Sequence, residues 1–114
     1  MEPPIEISYS DVGGWTIVEL YGEVDVYTVP MIKQYMIERL ADGHLRFIID
    51  LRGVAFIDSM GLGVLVGVLK RVLTVHGELK LVITDANTKQ LFALTGLRHV
   101  FPIYDSVYQA RRTS

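Results

Sequence analysis

Hydrophobic residues recur with two different periods along this chain, and the order in which those periods appear restricts its fold. Ile5, Ile7 and Tyr9 alternate with polar residues, a pattern typical of a β-strand with one solvated face. Residues 11–14 then supply the Asp and Gly of a tight turn, and a second apolar run covers residues 15–21. The chain is therefore expected to open with an antiparallel β-hairpin.

Beyond Gly22 the hydrophobic period changes to that of an α-helix, and from there helical and strand segments alternate. Capping and breaking residues mark where each segment begins and ends. In chain order the predicted elements are a helix from Thr28 through Leu40 to Gly43, a strand from Leu45 to Leu51, a helix from Ser59 to His76 closed by Gly77, a strand from Leu79 to Ile83, a helix capped by Asn87 with Gln90 and ending at Gly96, an edge strand at Phe101 and Ile103, and a final helix capped by Asp105.

These elements give the order ββαβαβα(β)α, which predicts an α/β fold. Parallel strands joined by helices require right-handed crossovers, and strands that progress in one direction across a sheet then place those helices on the same face. The alternation within the strands favours the same arrangement, because strands covered on both faces are apolar throughout. We therefore expect the hairpin to join a mixed sheet with helices mainly on one face. A single domain is expected over residues 1–114, with a core from about residue 5 to 110.

Composition excludes several classes of protein. The chain has no cysteine, which rules out disulfide scaffolds and thiolate zinc sites. Its formal charge of −2 predicts no direct attraction to nucleic acid or to anionic lipid. The N-terminus lacks the basic and apolar regions of a signal peptide, and the apolar run at residues 60–69 is about half the length of a membrane span. We expect a cytoplasmic protein with no membrane partner.

The junction of Asp58 and Ser59 is a candidate for function. It lies where the third strand gives way to the longest predicted helix, and the first turn of a helix carries free N–H groups and a partial positive charge. A phosphoryl group on Ser59 would be stabilised there. Either residue also suits the helix N-cap, so a structural role alone is the simpler interpretation. The two roles are compatible.

The helix that follows Ser59 contains three glycines, Gly61, Gly63 and Gly67, and each weakens a helix by roughly 0.5–1 kcal/mol relative to alanine. Apolar residues also surround the first half of this helix, more than one buried stripe requires. Close packing against a neighbouring helix would account for the glycines. A smooth face on which a partner docks beside Ser59 is the alternative.

Enzymatic alternatives fit the sequence poorly. The segment around Ser59 lacks the leading glycine of the G-x-S-x-G nucleophile elbow, and its glycine spacing does not match a nucleotide-binding loop. His44, His76 and His99 are scattered, which makes them weak candidates for catalysis or metal binding. Asp50 ends a strand as the acceptor of a response-regulator receiver does, but this chain opens with a hairpin, so Asp50 is expected to cap or orient the following loop. We expect no catalysis, no metal and no cofactor.

Three segments of the chain resemble the STAS-domain anti-sigma factor antagonists of bacteria. The sequence GEVDVYTVP at residues 22–30 resembles the family's motif after the second strand, and residues 50–65 resemble its phosphorylation segment. The sequence LTGL at residues 94–97, followed by Phe101, resembles its C-terminal motif. The resemblance covers the chain from about residue 5 to 110, and it implies the STAS fold.

The resemblance also implies a partner-switching role. In that family the unphosphorylated antagonist binds an anti-sigma factor that is also a serine kinase of the histidine-kinase ATPase fold, and so frees a sigma factor. The kinase phosphorylates the serine that corresponds to Ser59, which releases the complex, and a metal-dependent serine phosphatase removes the phosphate. The matching positions around the phosphorylation site and partner surface are Asp25, Thr28, Asp58, Met60, Gly61 and Gly63.

One position departs from the family pattern, and one alternative function stays open. Met60 stands where many relatives carry a second hydroxyl residue, so no backup acceptor is available there. STAS domains also serve as binding subunits of lipid-transport or stress-sensing scaffold complexes without a phosphorylation switch. A lipid role would need an apolar cavity or exposed patch, whereas a switch needs an accessible Ser59 hydroxyl, so surface exposure of Ser59 would favour the switch. The free protein is expected to be a monomer.

Overall fold

The computed structural model describes residues 4–112. Its strands and helices follow the predicted order, and the helices begin and end at the kinds of residue that favour such positions. In chain order the elements are β1 Ile5–Val12, β2 Trp15–Val24, α1 Val29–Ala41, β3 Arg46–Ile57, α2 Ser59–Thr74, β4 Glu78–Val82, α3 Ala86–Leu94, a 3₁₀ turn Leu97–His99, β5 Ile103–Tyr104 and α4 Val107–Arg112.

One mixed sheet of five strands organises the molecule, in the order β1-β2-β3-β4-β5. The β1–β2 pair is antiparallel and closes through Gly13 and Gly14, which both have positive φ. The β2–β3, β3–β4 and β4–β5 pairs are parallel. The prediction of a hairpin joined to a mixed sheet is therefore confirmed, and β5 lies at the edge as the neighbouring Pro102 required.

The main core lies between one face of the sheet and the helices α1, α2 and α3, so the prediction of helices mainly on one face is also confirmed. The short helix α4 covers part of the opposite face through Ala110, which packs with Trp15, Ile17 and Ile48. For β3 the expectation of one wet face is wrong, since its residues 47–51 are all buried. The reason is α4, which takes Ile48 out of water on the second face.

Strand β3 is also longer than the pattern predicted, since it continues through residues 52–57 instead of ending at Leu51. This extension pairs with a longer β2 across two register shifts, which bend both strands as β-bulges do. Asp50 therefore lies inside a strand and orients no loop. Its buried carboxylate accepts hydrogen bonds from the main-chain N–H and the guanidinium of Arg52, at 3.0 and 2.7 Å, and this bond raises the pKa of Arg52.

Three helix-end predictions are corrected by the structure. Asp85, not Asn87, caps α3: its backbone is still extended and its carboxylate accepts from the N–H of Thr88, whereas residue 87 is already helical. Ser106, not Asp105, accepts from the first turn of α4, and Asp105 pairs with Lys89.

At the end of α2 it is His76 that adopts the left-handed conformation, with φ of 60°. Gly77 was expected to close the helix. It is needed for another reason, because a β-carbon there would lie 2.3 Å from the carbonyl of Leu45.

Candidate functional site

The Asp58–Ser59 junction lies at the edge of the sheet where β2 and β3 end side by side. These strands are parallel, so the helices that follow them, α1 and α2, both begin at this edge. The last pair in their ladder is Val24 with Ile57, and the main-chain N–H of Asp58 donates to the carbonyl of Val24 at 3.1 Å. The loop before α1 and the start of α2 are therefore fixed to each other.

The choice left open between Asp58 and Ser59 as helix cap is decided by one hydrogen bond. The carboxylate of Asp58 accepts from the main-chain N–H of Gly61 at 2.9 Å, so Asp58 is the N-cap of α2. Ser59 is the first helical residue and is exposed. Within residues 4–112 its hydroxyl has no hydrogen-bond partner. The side chain of Ser59 thus has no structural duty and is accessible to solvent.

Asp25 and Thr28 build the loop in front of α1. The carboxylate of Asp25 accepts from the N–H of Tyr27 at 2.9 Å and from that of Thr28 at 3.2 Å. The hydroxyl of Thr28 accepts from the N–H of Asp25 and donates to the carbonyl of Glu23. Thr28 occupies the predicted N-cap position but makes no side-chain cap bond, and it is fully buried. Its contribution to the site is the shape of the loop.

The glycines of α2 fall into two kinds. Gly61 is buried against β2, and a β-carbon there would lie 2.5 Å from the carbonyl of Val24. Gly63 and Gly67 have open space where a β-carbon would be, so no contact with the described part of the chain requires them to be glycine. Close packing therefore accounts for Gly61 alone.

Exposed apolar side chains share this edge of the sheet with Ser59. Of these, only Met60 was among the residues expected at the site. Their exposure is not visible in the hydrophobic pattern, because they lie in loops or at element ends where the periodicity breaks down. The exposed fraction reaches 82% at Tyr27. The set comprises Val26, Tyr27, Met31, Phe56 and Met60.

A groove of about 350 Å³ runs beside Ser59 between α1 and α2. Its walls are mainly apolar, and two cations, Lys33 of α1 and Arg71 of α2, also line it. Neither cation stands out in the sequence, since each occupies an ordinary polar position of an amphipathic helix. The groove and the exposed apolar residues give the Ser59 edge the character of a contact surface.

Within residues 4–112 no group of three His, Asp or Glu side chains is arranged to hold a metal ion. His44 bonds to Thr16 at the start of β2, the end of the sheet opposite Ser59, and His76 follows the far end of α2. In the same part of the chain no helix is long and apolar enough to cross a membrane.

Residues 6–110 match the family model of the STAS domain. The chain belongs to the STAS domain family. The match extends from β1 to α4, so it includes every element of the sheet and the whole Ser59 edge.

Relatives of this STAS domain include regulators of sigma factors. It is 37% identical over 86 residues to an anti-sigma-B factor antagonist of Bacillus subtilis, covering 75% of this chain and 78% of that protein. It is similar to the structure of an anti-sigma factor antagonist from Mycobacterium paratuberculosis, with 30% identity, a TM-score of 0.84 and coverage of 93% and 90%. The Bacillus protein SpoIIAA in its phosphorylated form shares the fold, with 20% identity, a TM-score of 0.71 and coverage of 94% and 98%.

Proposed function

We propose that this STAS domain is an anti-sigma factor antagonist controlled by phosphorylation of Ser59. The unphosphorylated form binds an anti-sigma factor that is a serine kinase of the histidine-kinase ATPase fold, and so frees a sigma factor. Phosphorylation releases the kinase, and a metal-dependent serine phosphatase restores the binding form. The free domain acts as a monomer without a cofactor.

The observation that carries this proposal is that Asp58 and Ser59 have different roles at the start of α2. Asp58 holds the helix cap, which leaves the exposed hydroxyl of Ser59 available as a phosphoryl acceptor. In the transfer, the Ser59 oxygen bonds to the γ-phosphorus of ATP, the bond to the β-phosphate oxygen breaks, and the hydroxyl proton passes to a base of the kinase. The names of the related proteins, two of which are anti-sigma factor antagonists, support the same partner class.

Electrostatics explain how one phosphate acts as a switch without unfolding the domain. The phosphate adds about −1.5 to −2 charges at neutral pH. The helix N-terminus stabilises part of that charge, while the neighbouring carboxylate of Asp58 opposes it. A phosphorylated relative retains this fold. The effect therefore falls on the complex, where juxtaposed like charges cost several kcal/mol and each 1.4 kcal/mol changes affinity about tenfold.

The accessible Ser59 hydroxyl favours this function over that of a lipid-binding or scaffold subunit. Asp58 already caps α2, so the hydroxyl of Ser59 is not needed to stabilise the helix. A binding subunit without a switch has no use for this hydroxyl, whereas a phosphorylation switch requires it. Five exposed apolar residues, from Val26 to Met60, also share the Ser59 edge, which fits a protein partner that senses the serine.

A paired capture experiment tests the proposal. Ser59→Ala and Ser59→Glu proteins serve as baits for native lysate, and Ser8→Glu places the same charge on an exposed serine of β1 as the control. We expect an ATPase-fold kinase on the Ala and Ser8→Glu baits and its loss from Ser59→Glu. The purified kinase with ATP should then add one phosphate to the wild type and none to Ser59→Ala. Equal capture by all three baits would leave Ser59 no role in switching.

A further inference from the structure

The residues that line the groove between α1 and α2 are regularly spaced along both helices. Two rows of residues on α2, each spaced four apart, form its floor, and α1 contributes a third pair with the same spacing. Rows of this spacing are the ridges and grooves through which helices pack against one another. The rows are Ser59, Gly63, Gly67 and Arg71, then Met60, Val64 and Val68, and on α1 Val29 and Lys33.

The row that begins at Ser59 is nearly flat at its centre, because Gly63 and Gly67 have no side chains. Packing within the fold does not require these two glycines. Among residues 4–112, nothing lies within 4 Å of a β-carbon added at Gly63 or Gly67, in contrast to Gly61. The two glycines thus weaken α2 without improving any contact inside the domain. What they create is a channel one row wide, open to solvent, that leads from Ser59 to Arg71.

The groove carries positive charge with no acidic counterpart. Lys33 and Arg71 line it, and none of the Asp and Glu residues between positions 4 and 112 does. Through their side chains neither cation makes a hydrogen bond or an ion pair within residues 4–112. Their helices also place no carboxylate three or four residues away from either of them, the spacing at which helix ion pairs form.

We infer that this groove receives one amphipathic helix of the anti-sigma factor, with apolar side chains spaced four apart seated over Gly63 and Gly67 and carboxylates against Lys33 and Arg71. The inference rests on the proposed function for the identity of the partner. The row from Ser59 to Arg71 spans roughly 18 Å, which corresponds to about three turns of helix. A helix fits better than a strand, since a ridge spaced by four matches a channel spaced by four.

This arrangement explains why the switch stands at Ser59. The serine is the first member of the same row, so a phosphate there places its negative charge at one end of the channel in which the partner's carboxylates lie. The phosphate then repels the partner carboxylates that lie nearest to that end of the channel. Release would follow from repulsion within the groove as well as from repulsion at the serine.

The test measures the affinity of the kinase recovered with the Ser59→Ala bait for unphosphorylated variants, by calorimetry at low and high salt. Gly67→Leu fills the channel, Arg71→Glu reverses its charge, and Lys70→Glu reverses the adjacent exposed cation outside the groove as a matched control. We expect Gly67→Leu and Arg71→Glu each to weaken binding by about tenfold or more, and Lys70→Glu to change it by less than about threefold. Arg71→Glu should also flatten the salt dependence.

Stability measurements separate occlusion from misfolding. Gly67→Leu should raise the melting temperature of the free domain while it weakens binding, because leucine favours a helix and glycine does not. Wild-type binding that all groove variants retain would overturn this inference and leave the proposed function standing. If Gly67→Leu loses affinity for the kinase and Arg71→Glu retains it, the occupant of the groove is uncharged. That result would overturn the inference of an acidic helix. A wild type that binds no anti-sigma factor would overturn both.

Discussion

Gly61 lies so close to Val24 that a β-carbon on the glycine would stand 2.5 Å from the Val24 carbonyl oxygen. That same carbonyl accepts the N–H of Asp58, the cap of α2. The close approach therefore holds the first turn of α2 against the end of β2 and fixes Ser59 between them at the surface. The position of the proposed phosphoryl acceptor depends on a residue that has no side chain.

Alanine substitutions along α2 should separate the two kinds of glycine. Gly61→Ala is expected to destabilise the domain by about 1–3 kcal/mol, because β2 or α2 must move to admit the methyl group. Gly63→Ala and Gly67→Ala meet no atom within 4 Å, so each should stabilise it by about 0.5–1 kcal/mol. Urea unfolding of the three variants provides the measurement. A uniform gain in stability would contradict the close contact at Gly61.

The cap and the charge of Asp58 can be tested separately. Asp58→Ala should cost about 1 kcal/mol of unfolding free energy, because it removes the acceptor of the Gly61 N–H. Asp58→Asn retains an acceptor oxygen and should cost a few tenths at most. Both remove the negative charge beside Ser59, so phosphorylation should be equally well tolerated by the two. Denaturant unfolding of the phosphorylated and unphosphorylated variants checks this. An equal loss of unfolding free energy in Asp58→Asn and Asp58→Ala would refute the role of Asp58 as the cap.

Helix α4 should depend on the buried side chain of Lys80. Its ammonium lies 4.6 Å from the centre of the Trp15 ring and donates to the carbonyl of Ala110 at 2.9 Å. Lys80→Met keeps the apolar stem but leaves that carbonyl without this donor, so we expect a loss of about 1–3 kcal/mol. Relative to the wild type, Lys80→Met should speed amide hydrogen exchange in α4 more than in α2. Lys70→Met, at an exposed position, is the control and should leave both helices unchanged.

Acid should weaken the cap of α3. The N–H and the hydroxyl of Thr88 both donate to the carboxylate of Asp85, and these bonds lower its pKa below the ordinary value of 3.8. The stabilisation is therefore complete above that value and is lost as pH falls through the lowered pKa. The difference in unfolding free energy between wild type and Asp85→Ala should shrink in acid. Glu6→Ala, at an exposed position, is the comparison, and a pH-independent Asp85→Ala difference would exclude the effect.

Local patterns predicted most of the architecture, because each depends on neighbours in the chain. The hairpin, the parallel strands and the face covered by α1 to α3 follow from periodicity and chirality, which short segments already contain. The errors in β3 come from contacts distant in sequence, whereas those at the caps of α3 and α4 concern which of several neighbouring polar residues accepts the bond. Ile48 is buried by α4, and β3 extends to Ile57 because β2 offers a partner through two bulges.

The same division applies to the site. The sequence by itself determined that Asp58 and Ser59 stand at the start of a helix, since strand and helix periods meet there, and that three glycines weaken that helix. Only the tertiary structure decided that Asp58 is the cap and that Ser59 is exposed. It also decided that Gly61 serves the fold while Gly63 and Gly67 line a groove with Lys33 and Arg71. These distinctions depend on which atoms of α1 and β2 lie across from α2, and a one-dimensional pattern carries no such distances.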